Sequence, residues 1–195
     1  MTCSIEAAAI TAPELRDEFV CLRPWSAIDP VQLRDAVDES LDTVGRWQPW
    51  CHRGYGLEEA RAWIEYSREG WTSGTDFPLA ICDALSGDLM GGIGLNHLNR
   101  LHRSANMGYW LRESRQGRGM ATRAGALMAR FGFENMRLIR IEIVAEPDNL
   151  PSRRVAEKLG ARLEAIARHR LWIHDQPKEA AVYALLPADL RQTGA

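Results

Sequence analysis

Residues Tyr109 to Gly160 decide the fold: YWLRESRQGRGMATRAGALMARFGF (109–133), then IRIEIVAE (139–146), then DNLPSRRVAEKLG (148–160). A strand runs into the Gly-rich turn Gln116-Gly117-Arg118-Gly119-Met120-Ala121, and that turn opens a helix. Free backbone N–H groups and the positive dipole end converge at a helix N-terminus, a ready place for a phosphate. A β-branched strand, Leu138 to Val144, follows the helix and requires a crossover, hence parallel pairing with the strand before the turn. A short helix entered through Asn149 and Ser152 then closes at Gly160 as its C′ residue. This layout predicts a phosphate-bearing cofactor.

Working outward, residues 1–17 read as a loosely ordered leader rich in Ala and Thr. Phe19 to Arg23 alternates as a first strand, and Asp29-Pro30 starts a helix with Leu33, Val37, Leu41 and Val44 at helical spacing. A second helix carries Ala60, Trp63, Ile64, Ser67 and Trp71 on one face. Phe77–Asp83 and Leu89–Leu95 form a hairpin through Ser86-Gly87, and Ser104–Arg112 returns antiparallel. In the central helix Met120, Ala124, Leu127, Met128 and Phe131 face inward, with Arg123 and Arg130 outward. Two final strands, 162–173 and 179–186, flank a turn at Asp175-Gln176-Pro177. The sum is an α/β fold, a mixed sheet of about seven strands flanked by about four helices.

With 195 residues, 46% hydrophobic and 26% charged, one domain over 1–195 is expected. A net charge of −2 gives no reason to expect nucleic acid or an anionic membrane as the main partner. Cys3, Cys21, Cys51 and Cys82 have no CxxC spacing, and no apolar run reaches the roughly 20 residues of a membrane span. The expectation is a cytoplasmic, soluble protein with reduced thiols. His52, His97, His102, His169 and His174 form no metal-ligand spacing, so no metal is expected. A P-loop and a GxSxG elbow are absent; Gly117-Arg118-Gly119 half-matches GxGxxG, with Thr122 where the third glycine belongs.

The Gln116–Ala121 turn resembles the Q/R-x-x-G-x-G/A signature of the GNAT superfamily of acetyl-CoA-dependent N-acetyltransferases. Gly108–Leu111 (GYWL), Asp148–Gly160, Leu22-Arg23-Pro24, and Trp47-Gln48-Pro49-Trp50 followed by Glu58-Glu59-Ala60 resemble its Rim-type branch, which acetylates ribosomal-protein N-termini. The resemblance covers about residues 19–187. It implies a GNAT-type sheet, antiparallel at first, with a splayed parallel pair at its fourth and fifth strands.

The resemblance also implies direct acetyl transfer from acetyl-CoA, the co-substrate, to an amine bound alongside it. Backbone amides from Arg118 through Gly119 and Met120 to Ala121 would hold the pyrophosphate, Gly117 and Gly119 would let the backbone approach closely, Gln116 belongs to the same cofactor-binding turn, and Arg118 or Arg123 would add charge. The pantetheine arm would lie against Asn106–Leu111, with an N–H among Tyr109, Trp110 and Leu111 polarising the thioester carbonyl. Many members carry a thiol-protonating Tyr seven residues after the Asn; Ala156 stands there. The Rim-type branch instead has a Ser three residues on, here Ser152, so Asn149 would orient the thiol and Ser152 donate to sulfur. Ser152 also reads as a helix-start residue serving backbone N–H groups.

Asn106 replaces a Glu frequent in relatives, which leaves Glu142, His97 and Glu59 as the bases to consider. The demand is light for an α-amine, about a tenth neutral at pH 7, and heavy for a lysine, about one in 2,500. The acceptor, a protein N-terminus or a small amine, would enter between the first helices and the last hairpin. Trp50 and Trp172 are expected to line that entry, and Trp63 and Trp71 to pack in the core. Homodimerisation is compatible with the chain. The rival to an enzyme is a silent CoA-binding sensor that kept the turn and lost turnover.

Overall fold

The computed structural model describes residues 12–190. In chain order the elements are β1 Leu15–Arg16, β2 Val20–Arg23, α1 Pro30–Asp38, α2 Leu57–Ser73, β3 Phe77–Asp83, β4 Leu89–Asn99 and β5 Ser104–Leu111. Then come α3 Met120–Glu134, β6 Arg140–Ala145, α4 Leu150–Leu159, β7 Arg162–Ile173 and β8 Gln176–Leu185. They build one sheet of eight strands, ordered β1-β2-β3-β4-β5-β6-β8-β7. Only β5 and β6 pair in parallel. The strand beyond the seven expected is β1, inside the stretch read as a loose leader; residues 1–11 of that leader lie outside the described residues.

Side-chain alternation along the strands splits the core in two. Leu79, Ile81, Ile93, Leu95 and Met107 face α3 and α4, where Ala124, Met128, Phe131 and Leu159 cover them. Ala80, Cys82 and Leu89 face the other way and meet Trp25, Leu33, Val37 and Ala60 beneath α1 and α2. On α3, Ala124, Met128 and Phe131 are buried as expected, whereas Met120 and Leu127 are only half-buried and the expected outward Arg123 and Arg130 are half-buried too.

Local chemistry sets most boundaries. The Asp29 carboxylate accepts from Val31 N–H at 2.8 Å with Pro30 at N1, which starts α1. In α2 the Glu59 carboxylate accepts from Gly56 N–H at 2.9 Å, and Gly74 ends the helix at φ 68. Several boundaries differ from the sequence reading: β4 runs past the expected Leu95 to Asn99, and two others have a clear local cause. α1 stops at Asp38, because Ser40 O collects the N–H groups of Thr43, Val44 and Gly45 in tight turns. The last hairpin turns at His174-Asp175, both at positive φ (50 and 57), which places Pro177 in β8 opposite Trp172. Two successive positive-φ residues give the primed turn whose twist matches the strands. None of the described helices is long and apolar enough to cross a membrane.

Candidate active site

The parallel ladder is three residue pairs long: Ser104 with Arg140, Ala105 with Ile141, Asn106 with Glu142. Beyond it β5 follows β4 as far as Leu111, while β6 follows β8 as far as Ala145. Met107–Leu111 and Ile143–Ala145 therefore diverge, and the facing backbone edges are left without a strand partner. Such an edge accepts an extended ligand by the hydrogen bonding that joins strands.

Downstream of the fork's open end lies the start of α3. Gln116 N–H donates to Glu113 O at 3.1 Å, and the backbone ladder resumes with Arg123 N–H to Gly119 O at 3.1 Å. No side chain caps the helix, and no acidic residue sits in its first turn. Gly117 and Gly119, at φ 75 and 80, adopt the left-handed conformation that costs other residues. The amides from Gly117 to Ala121 thus present a donor-rich, exposed concavity. The Gln116 side chain points elsewhere, with its Nε2 donating to Leu111 O at 2.8 Å and closing the loop behind the turn. Arg123 pairs with Asp17 at 3.1 Å and stacks over Phe19 at 4.2 Å, so it ties α3 to the first strands.

The fork is bridged at one point. Tyr109 Oη donates to Ser152 O at 2.9 Å, and Ser152 Oγ donates to Tyr109 Oη at 3.2 Å. Ser152 N–H is itself capped by Asn149 Oδ1 at 3.2 Å. The helix-start role expected of Ser152 falls to Asn149, whose side chain caps the helix, while the Ser152 hydroxyl bonds Tyr109 instead of a backbone N–H. Burial pushes the Tyr109 phenol above its ordinary range, with the Ser152 bond opposing, so it stays protonated near neutrality.

On the opposite side of the sheet, α2 and the loop after α1 roof a cavity of about 600 Å³. Trp50, Tyr55, Trp63, Tyr66 and Trp110 wall it, and Gly92, Gly94 and Gly108 floor it. The floor must be glycine at Gly92, where a Cβ would lie 2.7 Å from the Trp110 indole and 2.8 Å from Trp25. Trp110 packs edge-on against Trp50 at 5.3 Å. Trp50 is where it was expected. Trp63, assigned to the core, lines the cavity and stacks on Tyr66 at 5.5 Å. Trp172 is 68% exposed on β7 and lines nothing here. Tyr55, Tyr66 and Asp76 escaped the sequence reading, although positions 59, 62, 63 and 66 share one helical face.

A polar row crosses the sheet at the closed end of the fork. Asn106 Nδ2 donates to Asn96 Oδ1 at 2.8 Å, while Asn106 Oδ1 is buried without a protein partner. Next along, Glu142 accepts from Arg140 at 2.8 Å, and Arg140 also holds Glu164 at 2.7 Å. Glu59 is engaged by His52 at 3.2 Å and by the helix start. His97 is exposed at positive φ, in the β4 irregularity.

The sequence model of the Acetyltransferase (GNAT) domain matches residues 20–162. YdaF of Bacillus subtilis (strain 168), a protein named for ribosomal N-acetylation, is 34% identical over 173 residues, 87% of this chain and 92% of its own. The spermidine N(1)-acetyltransferase of Escherichia coli (strain K12) is 29% identical over 99 residues, about half of either chain (51% and 52%). The structure of Mycobacterium smegmatis RimJ in complex with CoA-disulfide superposes with a TM-score of 0.76 at 25% identity, covering 92% of this chain and 88% of that one. Forked mixed sheet and relatives alike define an acetyl-CoA-dependent N-acetyltransferase. The chain belongs to the GNAT family, on the side of its Rim-type branch.

Proposed function

We propose that the protein moves acetyl from acetyl-CoA to a primary amine by direct attack, with both substrates bound across the sheet. The observation that supports this most is the end of the β5–β6 ladder at Asn106 and Glu142, which leaves unpaired strand edges between an uncapped helix N-terminus and an aromatic cavity. The diphosphate sits on the amides of Gly117–Ala121, with Arg118 above them and Gln116 bracing the turn from behind. The pantetheine arm adds to the free edge of Met107–Leu111. A backbone N–H of Tyr109, Trp110 or Leu111 takes the carbonyl oxygen as it gains charge, where preorganised donors act most strongly. The amine attacks the carbonyl carbon, the C–S bond breaks, and sulfur leaves with the bonding pair. Ser152 turns its hydroxyl proton from Tyr109 onto that sulfur, and Asn149 sets the helix start that aims it. Glu142, at the closed end of the fork, is the carboxylate that assists the departing amine proton.

Relatives named for ribosomal proteins and for spermidine show both acceptor sizes within the family. The test is free-thiol release from acetyl-CoA over N-terminal peptides, amino acids, polyamines and aminoglycosides, alongside calorimetry of acetyl-CoA. Uptake with amine-dependent thiol release is expected. Uptake without release for any amine leaves only the sensor, and no uptake removes the reading.

The hydroxyl pair makes a separate prediction. Ser152→Ala should lower kcat about tenfold, roughly the 1.4 kcal/mol that one lost hydrogen bond is worth, while acetyl-CoA affinity changes little. Tyr109→Phe should do the same, and the double variant should be no worse than either single one, because the two hydroxyls act as a unit. Additive losses in steady-state kinetics would separate the residues.

A further inference from the structure

The cavity under α2 also carries information about the acceptor, on the premise of the acetyl transfer proposed above. Among the described residues its only charged lining side chains are Glu59 and Asp76, and no Lys, Arg or His borders it. These two carboxylates lie toward opposite ends. Glu59 is on the first turn of α2, Trp63 and Tyr66 follow on the same face, and Asp76 borders the cavity beyond the end of that helix, just before β3. From Glu59 to Tyr66 the helix rises roughly 10 Å. The carboxylates are not equivalent. Glu59 already faces His52 at 3.2 Å, whereas Asp76 has no ion-pair partner among the described residues.

Between the two ends the walls are ring faces, which favour methylene chains and cations alike. Apart from its carboxylates and phenols, the lining offers few side-chain groups to a peptide backbone, chiefly the amides of Gln48 and Asn96. A volume near 600 Å³ is that of a small-molecule site. Gly108, with no atom within 4 Å of where its Cβ would be, opens the floor beside the fork.

We infer that the acceptor is a small elongated diamine, with one amine at the floor by Gly108, its hydrocarbon body between Trp63, Tyr66 and Trp110, and its distal ammonium on Asp76. An N-terminal peptide is the competing occupant. It would bring backbone amides into a wall of rings and leave Asp76 unmatched unless its sequence happened to supply a cation.

The experiment uses the full chain and needs no turnover for its first arm. Trp50, Trp63 and Trp110 line the site, so intrinsic fluorescence reports occupancy. Octane-1,8-diamine should bind at least tenfold more tightly than octylamine. Asp76→Asn should erase that difference while octylamine binding and the melting temperature stay unchanged. A series of diamines of increasing length, titrated against the wild type, should show an optimum that monoamines lack, which tests the same point without any variant. Equal affinity for diamine and monoamine, or a preference that survives Asp76→Asn, overturns the inference. The second arm adds acetyl-CoA. Diamine preference without thiol release would retain the cavity assignment and remove the transfer reading, whereas release with peptides and no diamine preference would do the opposite.

Discussion

Gly119→Asp is expected to weaken acetyl-CoA binding by a hundredfold or more while the protein stays folded. Gly119 is the N-cap of α3 at φ 80, with nothing within 4 Å of where a Cβ would stand, so there is room for the new side chain. Asp is among the residues that tolerate the left-handed region, at a cost of order 1–2 kcal/mol. Its carboxylate would sit among the amides that no side chain now caps and compete for them with the diphosphate. The variant exchanges charge-assisted bonds to the ligand for repulsion, and roughly 3 kcal/mol of lost binding corresponds to the hundredfold change. Calorimetry with acetyl-CoA reads the affinity, and circular dichroism reads the fold. A variant that binds as tightly as the wild type would move the diphosphate away from α3, and Gly119→Ala, which carries at least the same left-handed cost of about 1–2 kcal/mol without the charge, guards against a purely conformational explanation.

That site was legible because its requirements are local. A turn that needs positive φ at two positions selects Gly117 and Gly119, and it leaves the first amides of α3 without a side-chain cap. The order of strands and helices was equally legible, since periodicity switches between two and 3.6 residues at each boundary. Less could be read where tertiary contacts decide. Leu41 and Val44 continue the helical spacing of α1, yet Ser40 Oγ bonds Ala36 O at 2.6 Å and the chain turns instead. His174, an unremarkable turn residue by composition, holds positive φ while its ring contacts Gly45 O at 3.1 Å, from 129 residues away. Arg123 looked like an outward cation, and only the fold brings Asp17 to it. The cavity under α2 was half legible. Trp50 was found by its place in a loop, whereas Tyr66 and Asp76 converge only once α2 has packed over β3 and β4.

Acid should undo a contact that supports the cofactor turn from the far side. Glu39, just past α1, accepts from Arg112 Nε at 2.9 Å and through a second guanidinium contact, and from Ser114 N–H and Oγ at 2.9 and 2.6 Å. Arg112 first, and Ser114 after it, hold this carboxyl down at about 2 against an ordinary 4.5, with burial opposing. A depressed folded-state value means the stabilisation is complete above about 4.5 and drains away as pH falls toward about 2. With the pair 23% and 28% exposed, we expect about 2 to 3 kcal/mol from it after allowance for solvent screening. Glu39→Gln should therefore lower stability by that amount at pH 7, about 5–10 °C in melting temperature for a chain of this size. The gap to wild type should narrow steadily once the pH drops below about 4.5. Denaturant unfolding of both proteins across that window measures it, and parallel curves at every pH would deny Glu39 the role. The loss should also reach the ligand. Arg112 and Ser114 lead directly into the turn that Gln116 closes, so freeing them makes acetyl-CoA order that segment as it binds. Affinity should fall severalfold in Glu39→Gln although no atom of residue 39 belongs to the amide concavity.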